Sequence, residues 1–157
     1  MKNKLAINVI LWVTALAGCN KVNDPFVDRV VAPVLVVIDN ATGDGGGQTG
    51  EPVVSQRVAG PVTLGVKIYE LDKSGILNKA VGIDSIPVTS LTIKLTTRAG
   101  MAVADLKTDG TGKASIAKTW AELGITDPKA GSSVSLTWTG EYKGQAFSRL
   151  SRVQAIN

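Results

Sequence analysis

Val62-Thr63-Leu64-Gly65-Val66-Lys67-Ile68 places an apolar residue at every second position, with Thr63, Gly65 and Lys67 between them. Successive side chains of a β-strand leave on opposite faces, so this alternation predicts a strand with one buried face. The pattern returns in Leu91, Ile93 and Leu95, which alternate with Thr92, Lys94 and Thr96. It returns again in Val134, Leu136 and Trp138, which alternate with Ser135 and Thr137. Three half-buried strands of the same kind set the class of the fold.

The chain between these strands is punctuated by turn chemistry. Asp72-Lys73-Ser74-Gly75, Arg98-Ala99-Gly100 and Asp127-Pro128-Lys129-Ala130-Gly131 read as turns. Ile83 to Val88 is a short apolar piece interrupted by Pro87, and Met101 to Lys107 reads as a strand of small residues. Thr108-Asp109-Gly110-Thr111-Gly112 reads as a hairpin connection, because Asp-Gly supplies the positive φ that tight hairpins demand. Lys113 to Thr119 then returns as the partner strand. Trp120-Ala121-Glu122-Leu123-Gly124 holds helix formers stopped by glycine, which predicts a single helical turn. Glu141-Tyr142-Lys143-Gly144 makes the last hairpin turn, and Gln145 to Ala155 the closing strand.

Upstream, Val30 to Ile38 (VVAPVLVVI) is β-branched and nearly continuous, which suits a strand buried on both faces, with Pro33 marking an edge or a bend. Asp39 to Pro52 (DNATGDGGGQTGEP) carries clustered glycines that no regular element accommodates, and residues 39–60 are read as a long Gly-rich loop. Seven to nine short strands at this spacing predict an all-β, antiparallel sandwich over residues 30–157.

The order of pieces resembles the bacterial immunoglobulin-like domains of invasin- and intimin-type adhesins. Ile86-Pro87-Val88 leading into Leu91-Thr92-Ile93-Lys94-Leu95-Thr96 is similar to one of their recurring segments. Thr108-Asp109-Gly110-Thr111-Gly112-Lys113-Ala114-Ser115-Ile116 is similar to a second, and the Tyr142-Lys143-Gly144-Gln145-Ala146 turn to a third. The resemblance spans roughly Pro61 to Val153 and implies an immunoglobulin-like β-sandwich. The T-D-x-x-G-x-A segment also occurs in other sandwich modules, transthyretin-like ones among them. The Cys…Trp…Cys pattern of antibody domains is absent, so Trp138 has no disulfide to pack on.

The N-terminus addresses location. Lys2 and Lys4 precede an apolar run from Leu5 to Ala15, and Leu16-Ala17-Gly18-Cys19 follows. A basic start, a short apolar region and small residues before a cut are the parts of a secretory signal. The run is shorter than the ~20 residues a membrane-spanning helix needs. Leu16-Ala17-Gly18-Cys19 resembles the lipobox of bacterial lipoproteins. That resemblance implies cleavage after Gly18, acylation of Cys19 and a membrane anchor, with residues 1–18 as signal and 19–29 as tether. Multiple acyl chains give lasting attachment where a single one gives only marginal binding. An ordinary secretory signal with a chance cysteine is the alternative. Lys21, Asp24 and Asp28 loosely resemble an acidic surface-export signal, with an ordinary solvated tether as the alternative; the cell surface is somewhat favoured over the periplasmic face of an outer membrane.

Composition narrows the chemistry. Removal of Lys2 and Lys4 with the signal leaves 15 basic and 13 acidic residues, and no basic cluster stands out, which argues against a nucleic-acid partner. The chain has no histidine, the commonest general base and metal ligand. With Cys19 acylated no internal disulfide is possible, so packing alone must hold the fold.

Asp39, Asn40 and Asp44 do not match the spacing of a calcium loop, and no metal or cofactor is expected. Ser115-Ile116-Ala117-Lys118 fits S-x-x-K but lies in strand sequence, where the two side chains point to opposite faces. Asp105, Asp109, Glu122 and Glu141 would need folding to gather them before they formed a carboxylate pair. Trp120, Tyr142 and Phe147 lie near turns or strand ends and form a candidate ligand platform; the alternative is that they close the ends of the sandwich. The expectation is therefore a non-catalytic, lipid-anchored module that docks on an envelope or extracellular protein. The alternative function is a surface binder of carbohydrate or peptide.

Overall fold

The computed structural model describes residues 32–42 and 51–157. The expected signal (residues 1–18), Cys19, the expected tether (residues 19–29), Val30, Val31 and Asp44 lie outside the described residues. Among the described residues ten strands run in the order β1 (Leu35–Ile38), β2 (Ala41–Thr42), β3 (Val53–Arg57), β4 (Val62–Asp72), β5 (Asp84–Pro87), β6 (Thr92–Thr97), β7 (Ala102–Lys107), β8 (Lys113–Lys118), β9 (Ser133–Tyr142) and β10 (Gln145–Ile156). A 3-10 turn, Ala121–Leu123, follows β8.

Two sheets face each other across one apolar core. The first is built on β4, with β1 along one edge and β8 and β5 end to end along the other. The second has the order β2-β3-β10-β9-β6-β7. Among these strands every pairing is antiparallel except β3 with β10, which run parallel. The all-β sandwich expected from the alternating runs is the fold observed.

Inward residues follow the alternation that announced the strands. Val62, Leu64, Val66 and Ile68 of β4, Ile93 and Leu95 of β6, and Leu136 and Trp138 of β9 are all buried. Val153 and Ala155 of β10 and Val54 of β3 join them in one continuous cluster. Burying such side chains contributes about 1.5–3 kcal/mol each, the main force available to a fold with no disulfide.

Three expectations are corrected. Residues 39–60 are not a single loop: they contain β2 and β3. Val54 is buried and Val53–Arg57 runs alongside Arg152–Ile156, so a long-range partner decides this segment, where the glycines suggested irregular structure. The second correction concerns Thr108–Gly112, which is not a hairpin. Strand β7 pairs with β6 in one sheet and β8 pairs with β4 in the other, so this segment carries the chain across the sandwich. Third, the Val30–Ile38 run does not give a strand buried on both faces: β1 begins at Leu35, after the bend expected at Pro33, and only Ile38 of its four residues is fully buried.

The crossover is fastened by its own sequence. Thr108 is 4 % exposed. Its hydroxyl donates to the Val88 carbonyl at 2.7 Å and accepts the Leu91 amide at 2.8 Å. Asp109 Oδ1 accepts from the Thr111 amide, the Thr111 hydroxyl and the Lys113 amide. These bonds hold the Asp109 carboxyl below the usual carboxylate range, the Thr111 hydroxyl most of all. At Gly112 the chain meets the middle of β4, where the Ile68 amide donates to the Gly112 carbonyl at 2.9 Å. The Ile68 carbonyl in turn accepts the Val88 amide at 3.0 Å, so β4 changes partner from β8 to β5 at this residue.

Candidate functional site

The three aromatic residues expected to form a platform are not brought together. Trp120 is 4 % exposed, and its indole N–H donates to the Arg57 carbonyl at 3.1 Å. It closes the end of the sandwich where β3 and β10 finish. Phe147 is 8 % exposed and pairs across the strands with Gly140. The ring occupies the space a side chain would take there, since a Cβ on Gly140 would lie 2.7 Å from Phe147 Cζ. Only Tyr142 remains half-exposed, at the far end of β10 from Trp120. A strand rises about 3.3 Å per residue, so the 12 residues of β10 separate those ends by roughly 35 Å. The platform expectation is corrected accordingly. Trp120 and Phe147 belong to the core because a large ring at a strand end gains more from closing the sandwich than from facing water.

Tyr142 instead takes part in a polar clasp between the sheets. Its hydroxyl donates to Glu70 Oε2 at 2.6 Å, and the Lys143 ammonium donates to Glu70 Oε1. The Lys143 nitrogen also lies 5.2 Å from the centroid of the Tyr142 ring. Residues 143 and 144 both have positive φ, 51° and 77°, the geometry of a two-residue hairpin turn matched to strand twist. The turn presents Lys143 to β4 of the opposite sheet. The Lys143 and Tyr142 bonds lower the Glu70 carboxyl, while the same bonds raise the Tyr142 phenol and the Lys143 ammonium. Each shift favours the form the group holds near neutral pH: an ionised Glu70, a protonated Lys143 and a neutral Tyr142 phenol.

Of the other carboxylates weighed for chemistry, Asp39, Asp109 and Glu122 are similarly engaged. Asp39 Oδ2 lies 2.7 Å from the Lys113 ammonium and Oδ1 lies 3.5 Å from that of Lys67. Gly65 leaves the space for it, a Cβ there being 3.0 Å from Asp39 Oδ2. Two ammonium groups on one carboxylate oppose a cation ligand role. Among the described residues no group of three or more Cys, Asp or Glu side chains is arranged to hold a metal ion.

Glu122 forms a reciprocal cap with Thr119. Its carboxylate accepts the Thr119 amide at 2.8 Å and the Thr119 hydroxyl at 2.9 Å, and the Glu122 amide donates back to that hydroxyl at 3.3 Å. Lys118 of the S-x-x-K run donates to the same carboxylate at 3.0 Å. Ser115 and Lys118 both lie on β8, and so lack the helical turn that brings such a serine and lysine together.

The cap gives a pH prediction. The Thr119 amide, then Lys118, then the Thr119 hydroxyl hold the Glu122 carboxyl down from 4.5 to about 2. A folded-state value below the unfolded one contributes stability fully present above pH ~4.5 and lost as pH falls toward 2. Glu70, Asp72 and Asp109 are shifted in the same direction. Urea midpoints are therefore expected to be flat from pH 7 to 5 and to fall below pH 4.5. Glu122→Gln is expected to lower the midpoint at pH 6 and to make the acid slope shallower; an unchanged slope would remove the cap from the account.

Comparison with known proteins finds no family model, no curated protein and no solved structure that matches this chain.

Proposed function

We propose that this protein is a lipid-anchored module of the bacterial cell envelope that acts by binding another envelope or extracellular protein, without catalysis of its own. The observation that carries the reading is Leu16-Ala17-Gly18-Cys19, following a basic start and a short apolar run and containing the chain's only cysteine. Strand pairing supports the immunoglobulin-like part of the reading. β4 pairs with β8 in one sheet, and β6, β9 and β10 are neighbours in the other. An early strand, β3, adds in parallel beside the last. Asp39, Asp109 and Glu122 each have a structural duty, in keeping with a module that presents a surface. The carbohydrate-platform alternative loses Trp120 and Phe147 to the core.

Expressed in a bacterial host, the wild-type chain is expected to incorporate labelled palmitate and to fractionate with membranes. Cys19→Ala should lose both the label and membrane association. Unlabelled wild type, or a Cys19→Ala chain that still takes up the label, sinks the anchor. Protease shaving of intact cells, with a periplasmic control, then assigns the side: loss of the domain while the control survives places it at the surface.

A further inference from the structure

The segment joining β4 to β5 exposes more large apolar surface than its neighbours. Ile76 is 55 % exposed, Leu77 98 %, Val81 64 % and Ile83 47 %, and Ile86 on β5 is 45 % exposed. Scattered exposed apolar residues need no explanation, but five within eleven positions are a concentration that calls for one.

The segment is internally bonded. The Ile76 amide donates to the Lys73 carbonyl, the Asn78 amide to Gly75, and the Val81 and Gly82 amides to Asn78. The Asn78 side-chain carbonyl accepts the Ala80 amide at 3.0 Å. Gly75 packs directly on Val81, whose Cγ1 a Cβ at that position would overlap. Five amides of the segment, those of Ile76, Asn78, Ala80, Val81 and Gly82, are already satisfied, which lowers the cost of entering a medium that demands internal partners for the backbone.

The position of the segment decides its occupant. In the β1–β4 ladder Leu35 lies opposite Tyr69 and Ile38 opposite Val66. The chain therefore enters the domain at the Asp72 end of β4, the end from which this segment departs. Only 13 residue steps separate Cys19 from Ala32, at most about 45 Å fully extended. The Tyr142-Lys143 turn, clasped to Glu70, lies at that same end, and an amphipathic tyrosine with lysines is the composition favoured at a bilayer surface. Lys73, Lys79 and Lys143 are balanced there by Glu70, Asp72 and Asp84. The attraction is accordingly apolar, with no requirement for anionic lipid.

We infer that the Ile76–Ile83 segment is a second membrane contact, which seats its apolar side chains in the headgroup–acyl boundary and holds the sandwich upright on the bilayer. This inference rests on the lipid-anchor reading. The probe is tryptophan emission from Leu77→Trp in the full chain, purified from membranes and reconstituted into phosphatidylcholine vesicles, with the wild-type signal of buried Trp120 and Trp138 subtracted. Ala130→Trp, in the exposed turn at the opposite end of the sandwich, is the control.

Leu77→Trp is expected to emit to the blue of Ala130→Trp and to lose most of its intensity to quenchers carried in the bilayer. Ala130→Trp should be quenched by aqueous iodide instead. Water-like emission from Leu77→Trp overturns the inference, as does a blue shift already present without vesicles, which would report association of two copies. Mass analysis of the N-terminal peptide in the same preparations scores the anchor separately. An acylated Leu77→Trp chain whose added indole stays in water sinks only the second contact. An unacylated chain that still seats the same indole in vesicles sinks only the anchor.

Discussion

Trp138→Ala is expected to destabilise the domain by about 3–5 kcal/mol, the largest loss of any single substitution considered. The indole is 1 % exposed and its N–H donates at 2.9 Å to the Ser151 hydroxyl, itself fully buried. Truncation removes apolar contact across both sheets, leaves a cavity and strands the Ser151 hydroxyl without that donor. Native stabilities of about 5–15 kcal/mol make this a large fraction of the total, and at about 4 °C per kcal/mol the melting temperature should fall by roughly 12–20 °C. Ser151→Ala isolates the polar part, because the indole N–H then loses its acceptor in a dry interior. That loss is about 1–3 kcal/mol. Thermal melts of the two single variants and the double variant separate the terms. If Ser151→Ala is silent while Trp138→Ala is severe, the hydrogen bond is incidental and packing carries the site. A mild Trp138→Ala would mean that the sheets close over the gap.

Gly112→Ala is the second. Gly112 has φ +75°, which costs an L-residue about 1–2 kcal/mol, and a Cβ there would lie 2.6 Å from the Ile68 carbonyl oxygen. That oxygen already accepts the Val88 amide, so it cannot retreat without loosening β5 from β4. The expected loss is about 2–4 kcal/mol. Gly100→Ala is the matched comparison: φ is +91°, but nothing lies within 4 Å of its Cβ, so only the backbone penalty applies. Denaturant midpoints of the two variants should differ by the cost of the close approach. Equal midpoints would show that the crossover shifts freely.

Both predictions bear on how much of this protein is legible without its fold. The alternation of Val62 to Ile68, of Leu91 to Leu95 and of Val134 to Trp138 carried the strand assignment, and the buried set follows it closely. Trp138 was placed on a buried face by its parity alone. The Glu141–Gly144 turn and the glycine-terminated helical turn at Gly124, with φ +89°, were also readable, because each is specified by residues within one turn of each other.

What failed has a common cause. Asp-Gly in Thr108–Gly112 is a turn signal, yet a turn signal does not say which strand lies beyond it. The crossover between sheets is decided by Thr108 reaching Val88 and Leu91, 20 and 17 residues away. Strand β3 was hidden among glycines because its partner, β10, follows about a hundred residues later. The polar partners were hidden in the same way: Glu70 is 72 residues from Tyr142 and Trp120 is 63 from the Arg57 carbonyl.

The all-β class and the faces of the strands are written in the chain itself, because periodicity and turn residues act over a few neighbouring positions. Which aromatic rings face the core, which sheet each strand joins and which loop lies at the start of β1 emerge only in the folded chain. Those outcomes depend on contacts between residues far apart in sequence, and local physical chemistry carries no information about which distant group will arrive.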